Sequence, residues 1–366
     1  MATNREEQIL EWIKQNPLIS QNDLAKLAGI TRSGVAAHIS NLVKKGYIQG
    51  KGYVITPPHY FTVIGGVNVD TFGMAKEVIT SRSSYPGKIY NRLGGVGRNI
   101  AVNLSKLGFK TYLMAAFGDD QNGERFKADS LKNGVDITHS EEVSHEATSS
   151  YLYVNQPNGD RIVGIDDMEI NRYMSPKYLE QRKQVLNNSQ VVIIDSNLPK
   201  RTIRWVYSNV TVPIFAKAVG LNKTMNLYDG LNYLDTLVIN GIEATVLTKL
   251  PVTDKISARK CAAMLLQRGV KNVFIYIDEV GVLYENNTEY YYFDNHEHAA
   301  KNTNGAGASA TAALGWARVN RDNFKQTAQA GIAALYITTE SYEAVNYKMT
   351  ASVLQARRSK IFNEQA

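Results

Sequence analysis

Between residues 31 and 52 the chain carries four basic side chains and no acidic one. Basic and polar side chains on one face of a helix are suited to contact the bases and phosphates of duplex DNA. The whole chain has a formal net charge of +7 and a pI of about 9.1, which favours an anionic partner. The candidate DNA-binding residues are Arg32, Ser33, His38, Ser40, Asn41 and Lys44 on a predicted helix, and Lys51 beyond it.

Three short helices are predicted to position these side chains. Apolar residues at helical spacing predict a first helix over residues 5–16, and the proline that follows ends it. Ser20 is expected to cap a second helix that ends at Gly29. Thr31 is expected to cap a third helix that runs to about Lys45. Three short helices with a glycine-containing turn between the second and the third form a helix-turn-helix.

The next segment, GYIQGKGYVIT, predicts a β-hairpin, because two β-prone runs flank Gly50, Lys51 and Gly52. The helices and the hairpin together resemble the winged helix-turn-helix of bacterial transcription regulators. The resemblance implies that the third helix enters the major groove and that Lys51 reaches the DNA backbone. The alternative is a solvated basic helix in a protein-interaction module.

The length of 366 residues predicts one large and one small domain, since domains usually hold about 100–200 residues. A Pro-Pro pair after the hairpin is a stiff connector. We therefore expect a DNA-binding domain at residues 1–56, a linker at 57–59 and a second domain at 60–366. No apolar stretch approaches the roughly 18 residues of a membrane span, so we expect a cytoplasmic protein without a membrane partner. The single cysteine, Cys261, excludes an internal disulfide.

In the second domain, short apolar β-prone runs alternate with helical or loop segments. The runs include VVIID, VPIFA, DTLVIN and NVFIYI. Such alternation predicts an α/β fold with a mostly parallel sheet and helices on both of its faces. Ligand sites in this architecture lie at the carboxyl ends of the strands.

Five segments of this domain follow one another in a fixed order. They are GGVNVD, SSYPGKI, LGGVGRNIAVNLSKLG, AAFGDDQNGERF and TSSYLYVNQPNGDRIVGIDD. In this order they resemble the ribokinase-like (PfkB-type) family of carbohydrate and nucleoside kinases. The resemblance covers about residues 60–355, and it is closest to pseudouridine kinases and related nucleoside or sugar kinases.

The resemblance implies a binding site for a ribosyl or sugar ligand. In relatives the residue at Asp70 binds sugar hydroxyls, and a carboxylate accepts two of them at once. We expect the first strand of the domain to carry Asp70. Glycines in the third segment let the backbone approach the ligand. The expected substrate-binding residues are Asn68, Asp70, Gly94, Gly95 and Asn99.

The last of the five segments contains Asn158-Gly159 between two β-prone runs, which predicts a hairpin. In relatives an equivalent segment belongs to a small β-sheet that forms a lid over the sugar. The same segment is often their dimer interface. The resemblance therefore implies a β lid and a homodimer that forms through it.

Asn240-Gly241-Ile242-Glu243 follows a predicted strand and resembles the N-x-x-E motif of the family. In relatives the Asn and the Glu act through ordered water on magnesium and phosphate. The resemblance thus implies ATP and Mg2+ as cofactors, bound near Asn240 and Glu243. The same residues also describe an N-capped helix start, which is compatible with that role.

Relatives carry a Gly-Ala-Gly-Asp sequence where this chain has Gly305, Ala306, Gly307 and Ala308. The resemblance implies that backbone N–H groups there stabilise a transferring phosphoryl group. In relatives the Asp takes the proton from the attacking hydroxyl. An alanine transfers no proton, so the expected catalytic position lacks its general base.

Three further departures accompany this one. Lys217 stands where relatives have an acidic residue, Asp278 where many have glycine, and Asn302 where Asp is common. An engineered or variant kinase and a natural pseudokinase both account for them. The open functions are therefore an ATP- and Mg2+-dependent ribosyl kinase fused to a DNA-binding domain, a ligand-sensing transcription regulator without turnover, and a structural scaffold.

Overall fold

The computed structural model describes residues 2–49, 59–81, 83–158, 161–277, 280–294 and 300–362. The described helices are α1 (Asn4–Gln15), α2 (Gln21–Ala28), α3 (Arg32–Lys44), α4 (Val96–Lys106), α5 (Gln121–Lys132), α6 (Pro176–Glu180), α7 (Lys183–Asn187), α8 (Lys200–Asn209), α9 (Gly220–Thr224), α10 (Gly241–Thr248), α11 (Lys255–Gln267), α12 (Ala306–Val319), α13 (Phe324–Thr339) and α14 (Ala351–Phe362), with 3-10 turns at Glu169–Tyr173 and Met225–Tyr233.

The described strands are β1 (Tyr60–Ile64), β2 (Asn68–Ala75), β3 (Gly87–Gly94), β4 (Lys110–Met114), β5 (Ala116–Gly118), β6 (Val135–Asp136), β7 (Glu141–Val143), β8 (Ser150–Asn155), β9 (Arg161–Asp167), β10 (Val191–Asp195), β11 (Ile214–Lys217), β12 (Leu234–Asn240), β13 (Asn272–Ile277), β14 (Gly281–Asn286) and β15 (Tyr290–Asp294).

Helices α1 to α3 form the predicted helix-turn-helix around a small apolar core. Ser20 caps α2, and Gly29 ends it in the left-handed conformation with φ of 63°. The Thr31 side chain accepts a hydrogen bond from Gly34 N and so caps α3. The core residues are Ile9, Leu10, Ile13, Leu24, Val35, Ile39, Leu42 and Ile48. The predicted hairpin tip, with Lys51, lies outside the described residues.

In the described part of the second domain, nine strands form one sheet in the order β15-β14-β13-β12-β11-β10-β1-β4-β6. The strands from β13 to β6 pair in parallel, whereas β14 and β15 are antiparallel at one edge. Central strands such as β1 and β10 are buried along their whole length, as expected where helices cover both faces. The predicted α/β fold is confirmed.

Two apolar cores lie on the two faces of this sheet. Tyr60 and Ile64 of β1 point into one core, and Phe61 and Val63 into the other, because successive side chains of a strand alternate. Helices α8, α10 and α11 contribute to the first core, and α4, α12 and α13 to the second. Helix α12 packs against both α4 and α13, which fixes the position at which it begins. No helix of the described ranges is both long and apolar enough to cross a membrane.

A second described sheet has four strands in the order β3-β2-β8-β9. The structure corrects the expectation that the first strand carries Asn68 and Asp70. Strand β1 ends at Ile64, and both residues lie on β2 in the small sheet. The physical reason is a long-range contact: Gly66 N donates to the Asp195 carboxylate at 2.9 Å instead of to a neighbouring strand, so β1 does not continue to Asn68. The Asn158-Gly159 hairpin tip lies partly outside the described residues.

Candidate ligand-binding site

Most of the predicted ligand-binding residues line one cavity at the carboxyl edge of the large sheet. The cavity has a volume of about 560 Å³ and is bounded by strand ends, the start of α4 and the small sheet. Ligands of open parallel sheets bind at this edge. The predicted residues in its wall are Asn68, Asp70, Gly95, Asn99, Asn240, Glu243 and Gly305.

Asp70 places a carboxylate in the wall of this cavity. It lies on β2 between its strand neighbours Arg92 and Tyr151. Asn68 Nδ2 donates to Asp70 Oδ1 at 2.6 Å. Gly94 leaves room for this carboxylate, because a Cβ there would lie 2.5 Å from Asp70 Oδ2. Asn68, Asp70 and Gly94 therefore form one unit that holds a hydroxyl acceptor at the cavity wall.

Asn99 is oriented by an ion pair behind it. Its Oδ1 accepts a hydrogen bond from Arg98 Nη1 at 3.0 Å. Arg98 also donates to the Asp129 carboxylate through both Nε and Nη2. This arrangement leaves the amide nitrogen of Asn99 as the group that can donate to a ligand hydroxyl. Gly95 begins the same helix with φ of 97°, and a Cβ there would lie 2.4 Å from the Gly66 oxygen. Only glycine fits that position.

Asp195 also shapes the site, although no motif in the sequence singled it out. Its buried carboxylate accepts hydrogen bonds from Gly66 N and Asn197 N, both at 2.9 Å. Burial raises the pKa of Asp195, while these N–H donors favour its charged form. The carboxylate thereby fixes two backbone segments next to the cavity, and Asn197 lines it. The feature of the sequence that could have identified Asp195 is that an acidic residue ends the otherwise apolar run VVIID.

The inner face of the small sheet is an aromatic wall. Phe72 stacks on Tyr90 and on Tyr153, each with ring centroids 4.9 Å apart. Tyr151 lies next to Tyr153 at 5.2 Å. This wall lines a second cavity of about 850 Å³, and Asp70 and Tyr153 belong to both cavities. A flat aromatic surface beside a hydroxyl-binding carboxylate is suited to a nucleobase or a sugar face.

Lys217, the last residue of β11, and Glu243, in the first turn of α10, form a buried ion pair. Lys217 Nζ donates to Glu243 Oε2 at 2.8 Å. The same Oε2 accepts from Asn240 N at 2.9 Å, and Oε1 accepts from Gly220 N at 3.3 Å. Burial lowers the pKa of Lys217, but the charge and hydrogen bond of Glu243 together with Tyr276 outweigh it, so the pKa is raised. The lysine is therefore charged, and the expected N-cap of Asn240 is present as well.

Gly305, Ala306, Gly307 and Ala308 form the start of α12. Gly305 is the N-cap residue with φ of 84°, and no described side chain caps the helix. The first N–H groups of a helix lack an acceptor within it and carry partial positive charge, which suits an anion. A third cavity, of about 230 Å³, opens here, and Lys217 lines it together with these glycines.

The first turn of α12 carries no acidic residue. Ala308 lines the small cavity at the position expected for the general base. The neighbouring Ser309 does not replace it, because its hydroxyl is buried and donates to the carbonyls of Ala306 and Ala334. The structure therefore places a methyl group where the resemblance implies a carboxylate.

Comparison with known proteins identifies the family. The model of the pfkB family carbohydrate kinases matches residues 58–349, which is most of the chain. The chain belongs to this family. A second model, for winged helix-turn-helix DNA-binding domains, matches residues 4–49.

Individual relatives agree with this assignment. The pfkB domain and the N-terminal module together are 31% identical over 350 residues to an uncharacterized sugar kinase, YeiI, of Escherichia coli (strain K12), covering 95% of this chain and 97% of that protein. The chain is 33% identical over 226 residues to the pseudouridine kinase of the same organism, covering 62% of this chain and 72% of the relative. An Arabidopsis thaliana ribokinase complexed with ribose and ATP has a TM-score of 0.71 at 20% identity, over 82% of this chain and 98% of that one. This last similarity shows the fold.

Among the described residues of this pfkB family member, Glu243 is the carboxylate that lines the small cavity at the start of α12. Magnesium needs hard oxygen ligands, usually one or two carboxylates with water and phosphate. The described residues contain no group of three or more His, Cys, Asp or Glu side chains that could hold a metal. Glu243 is neutralised by Lys217, and Ala308 supplies no oxygen.

The N-terminal module presents most of the predicted DNA-binding side chains to solvent. The exposed ones on α3 are Arg32, Ser33, Ser40, Asn41 and Lys44. His38 differs from the expectation, because α3 turns it partly inward: it is half-buried, and its Nδ1 has no hydrogen-bond partner within the described ranges. Lys51 lies outside those ranges.

Replacing Asp70 by Ala tests the ligand site. We expect a ribosyl ligand to bind more weakly by about 1–3 kcal/mol, because its hydroxyls lose a charged acceptor. Thr71→Ala, one position along β2 on the opposite face, is the matched control and should leave affinity unchanged. Calorimetric titration of both variants with a ligand found in a riboside and sugar panel measures the difference. Equal affinity of wild type and Asp70→Ala would remove Asp70 from the site.

Proposed function

We propose that this protein is a ligand-sensing transcription regulator. Its kinase fold binds a ribosyl or sugar ligand without turnover, and its N-terminal module binds duplex DNA. The observation that carries the proposal is Ala308 at the start of α12. General-base assistance is typically worth about 10²–10⁴-fold in rate, and alanine supplies none. Asp70 and Asn99 support binding of hydroxyl groups without this base.

A second candidate is an ATP- and Mg2+-dependent kinase that transfers the γ-phosphate to a ribosyl hydroxyl. The backbone at the start of α12 favours it, because such N–H groups stabilise a transferring phosphoryl group. A ribokinase of the same fold was solved with ribose and ATP, and ATP would lie near Asn240 and Glu243 here. The neutralised Glu243 and the alanine at position 308 weigh against this candidate.

DNA binding is supported by the exposed face of α3. Arg32 and Lys44 are exposed at its two ends, and a recognition helix uses such side chains in the major groove. We propose residues 1–56 as the DNA-binding domain, 57–59 as a linker and 60–366 as the kinase domain. The matched ranges of the two family models support this division.

A direct contact supports coupling between the two domains. Asn188 Nδ2 donates to the Lys45 carbonyl at the end of α3, at 2.6 Å. Gly46 lies against Val185, and both kinase-domain residues of this contact belong to the segment that precedes β10. The opposite end of β10 carries Asp195, which holds the backbone beside the cavity. Strand β10 thus runs from the segment that contacts the N-terminal module to the edge of the ligand cavity.

The outer face of the small sheet supports a homodimer through the β lid. Four aliphatic side chains on this face are exposed: Ile89, Leu152, Val163 and Ile165. The strand register places them on the side opposite the aromatic wall. Exposed aliphatic patches of this kind mark protein contact sites. We propose a second copy of this chain as the partner, in keeping with the dimers of related kinases.

Restoring the carboxylate at position 308 tests the role of the site. If the site is intact apart from its base, Ala308→Asp should raise ATP-dependent turnover of a bound ribosyl ligand by about 10²–10⁴-fold. Substrate affinity should stay nearly constant, because the carboxylate acts mainly in the transition state. The measurement is product formation on each ligand that stabilises the protein in a thermal screen with and without ATP.

Ala308→Asn is the matched control, since it has a similar shape but takes up no proton, and it should gain no turnover. If Ala308→Asp also gains no turnover while ligand still binds, we infer that Lys217 already prevents productive nucleotide binding, and the regulator proposal stands. Efficient phosphorylation by the unmodified protein would contradict the proposal and show that another group acts as the base.

Salt dependence tests the DNA-binding half of the proposal. Each Lys or Arg that neutralises a phosphate releases counterions, so the affinity for a mixed-sequence duplex should fall steeply as salt rises. Arg32→Ala and Lys44→Ala should each weaken binding and lower the salt slope by about one. Lys14→Ala, on α1, should change neither. Fluorescence anisotropy at several salt concentrations measures both quantities, and an affinity insensitive to salt and to both substitutions would refute DNA binding.

A further inference from the structure

The N-terminal module contacts the kinase domain at the edge of the large sheet that lies opposite the ligand cavity. Asn188, which donates to the Lys45 carbonyl at 2.6 Å, shortly precedes β10. The Val185 carbonyl next to this contact accepts a hydrogen bond from the Tyr60 hydroxyl at the start of β1. The strands from β13 to β6 are parallel, so all of them begin at this amino edge. Helix α3 therefore ends beside the amino edge.

Exposed basic side chains lie along the amino edge, where helices end and the next elements begin. Lys132 is the last residue of α5, Arg268 is the C-cap residue of α11, and Lys271 directly precedes β13. Helix α12 begins at the carboxyl edge, so the turn after it, with Arg321, and the first turn of α13, with Lys325, lie at the amino edge. All five are exposed. Within the described ranges, none of the five forms an ion pair with an acidic side chain.

Acidic side chains of the same edge are already neutralised by other cations. The pairs are Lys110 with Asp136 at 2.6 Å, Arg318 with Asp235 at 3.0 Å, and Arg358 with Asp322 at 2.6 Å. Glu289, in the turn between β14 and β15, is an exposed acid at the far end of the edge. The five exposed cations outweigh it, so the amino edge carries a net positive charge.

Helix stabilisation accounts for only part of this pattern. A cation at a helix C-terminus complements the partial negative charge there, which explains Lys132 and Arg268. Lys325 has the opposite situation, because the first turn of α13 carries partial positive charge. Lys271 and Arg321 lie outside helices. An anionic partner at this edge would stabilise all five cations.

The amino edge has the dimensions of a segment of duplex DNA. It contains the starts of seven parallel strands, β13 to β6, and strands about 4.8 Å apart give it a length of roughly 30 Å. Phosphates of one DNA strand follow one another at about 3.4 Å, so the edge matches the backbone of roughly nine base pairs. Lys44, exposed at the end of α3, directly precedes the residue that contacts Asn188. The exposed face of α3 thus continues to the kinase domain.

We propose that the amino edge of the kinase domain is a second DNA-contacting surface, which binds the phosphate backbone of the duplex beside the segment that α3 enters. The inference rests on the proposed DNA binding by the N-terminal module and extends it to the larger domain. Phosphate contacts carry no sequence information, but they fix the position and orientation of a protein on the duplex. The kinase domain then contributes affinity and orientation, while α3 contacts the bases.

Two variant pairs of the full-length protein test this inference. They are Arg268→Gln with Lys271→Gln, and Arg321→Gln with Lys325→Gln. Fluorescence anisotropy with mixed-sequence duplexes of about 12 and about 40 base pairs, at several salt concentrations, measures affinity and salt slope. For the longer duplex, each pair should lower the affinity about 10-fold or more near 0.1 M salt and reduce the salt slope by about two, one for each lost phosphate contact. The shorter duplex, which the module alone covers, should be affected much less.

A control pair separates position from total charge. Lys76→Gln with Lys88→Gln removes the same charge from exposed sites in and beside the small sheet, on the opposite side of the domain. This pair should change neither affinity nor salt slope. Thermal unfolding of each variant separates a role in helix stability, which would lower the melting temperature and leave DNA affinity unchanged.

The outcomes distinguish the inference from the function on which it rests. If both amino-edge pairs bind the longer duplex like the unmodified protein, while Arg32→Ala and Lys44→Ala still weaken binding, the second surface is refuted and DNA binding by the module stands. An equal effect of the control pair would also refute it, because total charge would then explain the loss. Absence of binding to either duplex by the unmodified protein would contradict the proposed DNA binding itself.

Discussion

The buried ion pair between Lys217 and Glu243 determines the chemistry of this kinase fold. Its 2.8 Å bond joins the end of β11 to the first turn of α10, beside the start of α12. Two charges removed from water are tolerated only when they are paired and hydrogen-bonded, and backbone N–H groups complete the carboxylate. The pair therefore balances the Glu243 charge inside the protein. It also presents a cation to the cavity in which relatives transfer a phosphoryl group.

Sequence motifs predicted the parts of the site that are local in the chain. Asp70, Asn99 and the Asn240 cap each lie in a short segment whose pattern sets their role, and the structure brings them to one cavity. The Asp195 contact was not predictable, because Asp195 and Gly66 are 129 residues apart and meet only through the strand order. Lys217 was recognised as a departure from the family, but its partner became visible only once β11 and β12 were neighbours.

The same limit applies to the lid. Two β-prone runs around Asn158-Gly159 predicted β8 and β9, but not that aromatic side chains from β2, β3 and β8 would stack into one wall. The wall, the Asp70 carboxylate and the start of α12 line neighbouring cavities, and Ala308 supplies no carboxylate there. Binding energy that does not drive a reaction remains available to shift a conformational equilibrium. The contact between Asn188 and Lys45 would carry such a shift to the end of α3, the helix for which we propose DNA binding.

Reciprocal binding provides the most direct test of this account. If ligand changes the affinity of the protein for DNA, DNA must change the affinity for ligand by the same factor. The measurement is the dissociation constant of full-length protein for a duplex selected from genomic fragments, with and without saturating ligand and in the absence of ATP. The account predicts a change of about 5–150-fold, the range typical of allosteric coupling, with the ligand recovered chemically unaltered. An identical dissociation constant at full ligand occupancy would contradict it.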